Sequence, residues 1–132
     1  SHIPWKRQYP LRPEAQRGIQ PLINKFLQFG LLDSESPCNT PILSVKKTSG
    51  DYRFVQDLLV VNEAVVLIHP IVCNPYRLLA QVPGGANWLT ILDLKEAFFC
   101  ILVHPDSQSI FAFEWTDPHS HLVSQLTWTV LP

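Results

Sequence analysis

The sequence predicts an α+β fold, and three observations carry that reading. One stretch near the front repeats its apolar residues with helical spacing. Two later stretches, "FAFEW" and "QLTWTV", alternate apolar and polar residues as half-exposed antiparallel strands do. Between these regions, Thr48-Ser49-Gly50-Asp51 separates two short runs of β-formers, which is the pattern of a hairpin. At 132 residues the chain suits one domain, able to bury roughly two-thirds of its unfolded surface.

The elements follow in order. Residues 1–12 are polar, punctuated by Pro4 and Pro10 and marked by Trp5 and Tyr9, and predict an extended arm. A helix starts near Pro13-Glu14, with proline in the first turn and an acid beside it. Ile19, Leu22, Ile23, Phe26 and Leu27 form one apolar face, and Gly30 supplies the stop. Pro21 lies inside this pattern and divides it into two short helices if it acts as a breaker. The hairpin occupies "PILSVKKTSGDYRFVQDL", residues 41–58, after which Asp57 suits the N-cap of a helix over 58–65. A connector follows, with a short helix over 76–81 closed by Pro83-Gly84-Gly85. Strands are expected over 88–92, 98–103, 110–115 and 125–130, with Asp117-Pro118 turning the chain between the last two.

Composition excludes several classes of function. The net charge of −1 and a pI near 6.5 provide no global basic field to draw the chain onto nucleic acid. The cations are uneven, with Lys6, Arg7, Arg12 and Arg17 at the front, Lys46, Lys47 and Arg53 as a second group, and only Lys95 beyond Arg77. Cys38, Cys73 and Cys100 are odd in number and widely spaced, so neither a disulfide framework nor a zinc site is indicated, and a reducing compartment is the default. No apolar run reaches the roughly 18 residues of a membrane span, and no signal-peptide pattern opens the chain. Twelve prolines and no methionine suggest a piece of something longer.

Three features suit chemistry, each with a plainer structural reading. Lys46, Lys47 and Arg53 on a hairpin could converge on a polyphosphate or a nucleic-acid backbone, or be solvated lysines that blunt an edge strand. Asp93 stands among apolar residues with Glu96 nearby, as a divalent-metal ligand or a capping carboxylate would. Phe98-Phe99 reads as core as readily as a substrate contact. The five histidines show no metal spacing, and Pro83-Gly84-Gly85 lacks the lysine and the preceding strand of a phosphate loop.

Order along the chain adds a further reading. "RQYPLRPEAQRGIQPLINKFLQFGLL", "SPCNTPILSVKK", "DYRFVQDLLVVN", "IHPIVCNPYRLL", "WLTILDLKEAFFCILVHP", "FAFEW" and "QLTWTVLP" together resemble a reverse transcriptase of the gammaretroviral, murine leukaemia virus-like type, including its endogenous relatives. The resemblance covers nearly the whole chain. It implies the fingers subdomain and a partial antiparallel palm sheet of a right-hand RNA-directed DNA polymerase. The arm would be residues 1–12, fingers mainly 13–87, and 88–132 the start of the palm with returning fingers strands. By the same resemblance Asp93 is the first catalytic aspartate and binds magnesium, with the Leu94 main-chain carbonyl as a further metal ligand. Phe98 is the steric gate beneath the incoming sugar, Lys47 and Arg53 grip the nucleotide triphosphate, and Lys46 and Asp57 lie near the template. The implied cofactor is Mg2+. The implied partners are an RNA or DNA template-primer, a deoxynucleoside triphosphate and the remaining polymerase and RNase H parts of a parent chain, with no membrane. Location is not encoded, and the resemblance implies cytoplasm or virion.

Two departures from the family pattern qualify these expectations. The sequence holds no aromatic-x-Asp-Asp motif, the family's source of the other metal-binding aspartate, so catalysis by these residues alone is not expected. Where the family reads "QDLREVN", the chain has Gln56-Asp57-Leu58-Leu59-Val60-Val61-Asn62, losing an arginine and a glutamate to apolar residues. Glu96 stands for an aspartate, Phe54 and Cys73 for prolines, Cys38 for a tryptophan and Val130 for an arginine. Such drift suggests an endogenous remnant no longer selected for polymerisation, one that binds nucleic acid or nucleotide weakly, or a fragment with no ligand.

Overall fold

The structure, a computed structural model, describes residues 2–132. Helix α1, Pro13–Leu27, forms because Pro13 presets the first turn, Glu14 complements the positive helix end and Lys25 the negative one. Its buried side chains are Ala15, Ile19, Ile23 and Phe26, and the Gly30 N–H closes its end on the Phe26 carbonyl at 2.7 Å. Pro21 does not divide the helix. The reason is that Ile19 and Ile23, one turn apart, are fully buried on either side of it, while Pro21 itself faces solvent. Packing of that stripe outweighs the lost backbone hydrogen bond.

Strand β1, Leu31–Asp33, was not legible as a strand, since three residues show no period. It pairs antiparallel with β5, Val123–Trp128, which pairs in turn with β4, Phe113–Thr116, so the sheet order is β1-β5-β4. The expected strand over 110–115 begins later, because residues 109–111 form a 3-10 turn. The Asp117-Pro118 turn is as expected, with the Asp117 carboxylate accepting from the His119 and Ser120 N–H groups at 2.7 and 2.8 Å. Strands β2, Ile42–Lys46, and β3, Tyr52–Gln56, form the expected hairpin. Gly50, at φ 93°, takes the left-handed turn position.

Two expected strands do not form. Residues 88–92 have no ladder partner, and residues 97–100 make a 3-10 turn, leaving only 101–103 to pair beside 129–131. Their apolar content suited a buried strand, but ladder bonding requires a neighbouring strand, and none lies there among the described residues. Every residue from 62 to 98 is exposed, including helix α3, Pro75–Ala80, whose Asn74 side chain caps the Tyr76 N–H at 2.9 Å. Helix α2, Leu59–Ala64, is the last element with a buried residue, Val61, before this stretch.

The core lies between α1, the sheet and the inner face of the hairpin. Trp128 is fully buried at its centre, stacked on Phe99 at 5.4 Å and close to Phe26 at 5.1 Å. Gln56 is the polar joint of this core. Its amide oxygen accepts from the Trp128 indole at 2.8 Å, and its nitrogen donates to the Phe111 carbonyl at 2.8 Å and to the Thr40 hydroxyl. The amide therefore leaves no unpaired polar atom against the aromatic cluster.

Candidate functional site

The hairpin separates the cations that were expected to converge. Its register sets Lys46 opposite Tyr52 and Val45 opposite Arg53, so alternation places Lys46 and Arg53 on opposite faces. Lys46 reaches back to Glu14 of α1 at 3.1 Å and lies 5.8 Å from the Tyr52 ring centre. The Tyr52 hydroxyl and then Lys46 hold the Glu14 carboxyl below its ordinary value, and Glu14 raises Lys46 and Tyr52 in return. Lys47 and Arg53 are exposed, and neither forms an ion pair among the described residues. They are the hairpin's uncommitted cations, since Lys46 is already paired.

Asp57 sits where the hairpin passes into α2. It does not serve as the N-cap residue itself, a position that falls on Leu58, yet its Oδ1 accepts from the Leu59 N–H at 3.1 Å and performs much of that role. Its Oδ2 accepts from Lys6 Nζ at 2.9 Å and from the Tyr9 hydroxyl at 2.7 Å. Lys6, followed by Tyr9 and the Leu59 N–H, lowers the Asp57 carboxyl to about 2, and Tyr9 and Asp57 raise the Lys6 ammonium. The arm is thereby fixed. Lys6 N–H donates to the Asn39 carbonyl at 2.8 Å, and Gln8 exchanges two bonds of 2.9 Å with the Ile42 main chain. Sequence reasoning found Asp57 but missed Lys6 and Tyr9 as its partners. Their only trace was the arm's mixture of cations and aromatics, which does not specify a partner dozens of residues away.

Asp93, Leu94 and Phe98 lie in the exposed stretch. Asp93 makes no hydrogen bond or ion pair among the described residues, so the carboxylate that looked buried in sequence is in water. Phe98 is 65% exposed while its neighbour Phe99 packs on Trp128. Between them and Asp93, Glu96 adopts φ 55°, a left-handed conformation that is uncommon for a non-glycine residue. No cluster of three His, Cys, Asp or Glu side chains among the described residues could hold a metal ion. The Asp93 carboxylate and the Leu94 carbonyl alone are too few ligands to hold and space two metal ions.

No family model matches the chain. Curated relatives do. The chain is 55% identical over 128 residues to the Gag-Pol polyproteins of koala retrovirus and gibbon ape leukemia virus, and 54% identical to the Pol polyprotein of feline endogenous virus ECE1. Its homologues are gammaretroviral Pol polyproteins. The match takes in 96% of this chain but 8% of the first two polyproteins and 12% of the third. Among solved structures, this Pol homologue resembles the foamy viral protease-reverse transcriptase in complex with dsDNA, with TM-score 0.77 and 31% identity. It resembles the same protein in complex with RNA/DNA hybrid with TM-score 0.76 and 30% identity. Both alignments span 100% of this chain, and 26% and 17% of the neighbour. The likeness thus includes the exposed 62–98 stretch as well as the packed core.

Proposed function

We propose that this Pol segment is the nucleotide- and template-facing front of an RNA-directed DNA polymerase, comprising the fingers and the first part of the palm. The observation that carries the reading is the hairpin's charge economy: Lys46 is neutralised by Glu14, while Lys47 and Arg53 are exposed without a carboxylate. Free cations held on a rigid hairpin suit a triphosphate or a nucleic-acid backbone. The reading is supported by 55% identity to retroviral Pol and by neighbours whose structures are in complex with dsDNA or RNA/DNA hybrid. Asp93, Leu94 and Phe98 keep, in this reading, the roles of metal-binding aspartate, metal-facing carbonyl and sugar gate. Magnesium enters only with carboxylates beyond those of these residues, so no catalytic step is assigned to them alone.

The test is a salt titration of binding to a labelled template-primer. Affinity should fall steeply with salt, and Lys47→Ala with Arg53→Ala should weaken it and reduce the slope by about 2. Binding indifferent to salt and to both substitutions would remove the proposal. A second reading, binding without turnover, is favoured by Leu59, which is 55% exposed where the family pattern has an arginine. Joining the chain to a downstream palm that supplies the Asp-Asp motif separates the two. Primer extension that is lost in Asp93→Asn supports the polymerase; no product from either supports the remnant.

A further inference from the structure

The arm carries a second surface, distinct from the hairpin. Its main chain runs parallel to the segment at Asn39, with Asn39 N–H donating to the Pro4 carbonyl at 3.0 Å and Lys6 N–H to the Asn39 carbonyl at 2.8 Å. Burial along it then alternates. Lys6 and Gln8 turn inward, to Asp57 and to the Ile42 main chain, while Trp5 and Arg7 turn outward. Among the described residues Trp5, 59% exposed, stacks on no other ring and Arg7 forms no ion pair. Beside them lies a shallow recess lined by Lys6, Arg7, Gln8, Tyr9 and Pro10.

The inward contacts account for Lys6, Gln8 and Tyr9, but nothing in the fold accounts for a solvent-facing indole next to an unpaired guanidinium. Asp57, the carboxylate that the arm pairs with, is neutralised by Lys6, so it does not repel an approaching phosphate. An indole face and a cation two residues beyond it, on a strap hydrogen-bonded from behind, match the chemistry of an unpaired nucleotide. The base stacks on the ring and its phosphate meets the guanidinium.

We propose that Trp5 and Arg7 form a platform for single-stranded nucleic acid, so that the arm engages an unpaired strand while the hairpin engages the duplex and nucleotide. This deepens the polymerase reading and rests on it for the identity of the ligand class.

The experiment is fluorescence anisotropy with the 132-residue chain, using a labelled single-stranded oligo(U) and a blunt duplex of equal length. Circular dichroism verifies that each variant is folded. Trp5→Ala should weaken single-strand binding about tenfold and leave duplex binding unchanged, and Trp5→Phe should restore most of the loss. Arg7→Ala should reduce the salt slope by about 0.7, whereas Lys25→Ala, on the exposed last turn of α1, should change neither. If Lys47→Ala and Arg53→Ala lower affinity but Trp5→Ala and Arg7→Ala do not, the platform is refuted and the hairpin reading stands. If none of the four matters, both fail. If Trp5→Ala instead abolishes self-association in sedimentation without affecting oligonucleotide binding, the arm's outer edge is a protein contact and the proposal is overturned.

Discussion

Replacing Asp57 by Asn tests how the arm is held. The substitution keeps an oxygen at Oδ1 for the Leu59 N–H, but it puts an amide NH2 where Oδ2 accepts from the Tyr9 hydroxyl and pairs with Lys6, so the charge is lost and the Tyr9 hydroxyl must turn to accept. The folded carboxyl titrates at about 2 against 3.8 for the unpaired group, a gap equivalent to about 2 kcal/mol. The carboxylate is 20% exposed and the Lys6 side chain 34%, and screening by solvent reduces the expected loss to about 1 kcal/mol. Because the folded value is the lower one, this stabilisation is nearly complete above about pH 4 and is lost as pH falls through about 2. Urea unfolding followed by tryptophan fluorescence at pH 7 and at pH 2.5 measures it directly. The wild type should exceed Asp57→Asn by about 1 kcal/mol at pH 7, and the gap should shrink to about a third of that at pH 2.5, just above the folded value. An equal gap at both values, or none at pH 7, would show that the Lys6–Asp57 pair does not latch the arm.

Two further outcomes follow from the core and from the exposed stretch. Gln56→Leu leaves the Trp128 indole N–H and the Phe111 carbonyl without their partner beside buried rings, and should lower stability by about 2–3 kcal/mol in the same unfolding experiment; a loss under about 0.5 kcal/mol would mean that water replaces the amide freely. The stretch from Val66 to Leu94 exposes Val66, Leu67, Ile68, Ile71, Trp88 and Ile91 at 74% or more each, far beyond the scattered apolar residues of a monomeric surface. The isolated chain should bind a hydrophobic dye such as ANS and self-associate with rising concentration in sedimentation, whereas a dye-silent monomer that melts in one sharp cooperative transition would contradict this.

How much was legible differs by element, for physical reasons. Helix α1 and the β2–β3 hairpin are specified locally. Four buried positions at helical spacing and a glycine turn between β-formers need no distant partner to be read. The strands expected over 88–92 and 98–103 failed because an apolar run reports only a capacity for burial, and here no neighbouring strand is present to receive it. Strand β1 was invisible for the converse reason, since its three residues become a strand only where β5 lies alongside. The candidate site divides in the same way. Residue order marked Asp93, Leu94, Phe98, Lys46, Lys47, Arg53 and Asp57, but could not reveal that Lys46 is consumed by Glu14 while Lys47 and Arg53 are not.

Sequence by itself determined the α+β class, the front helix, the hairpin and the likeness to retroviral reverse transcriptase, because spacing and residue order survive without coordinates. Tertiary structure alone decided which charges are neutralised. Lys6 and Asp57 are 51 positions apart and meet at 2.9 Å, a distance set by the arm's pairing with Asn39 and by the hairpin's register. It likewise put Asp93 in water, because the carboxylate's surroundings depend on which apolar neighbours find a partner, and residues 62–98 find none among those described.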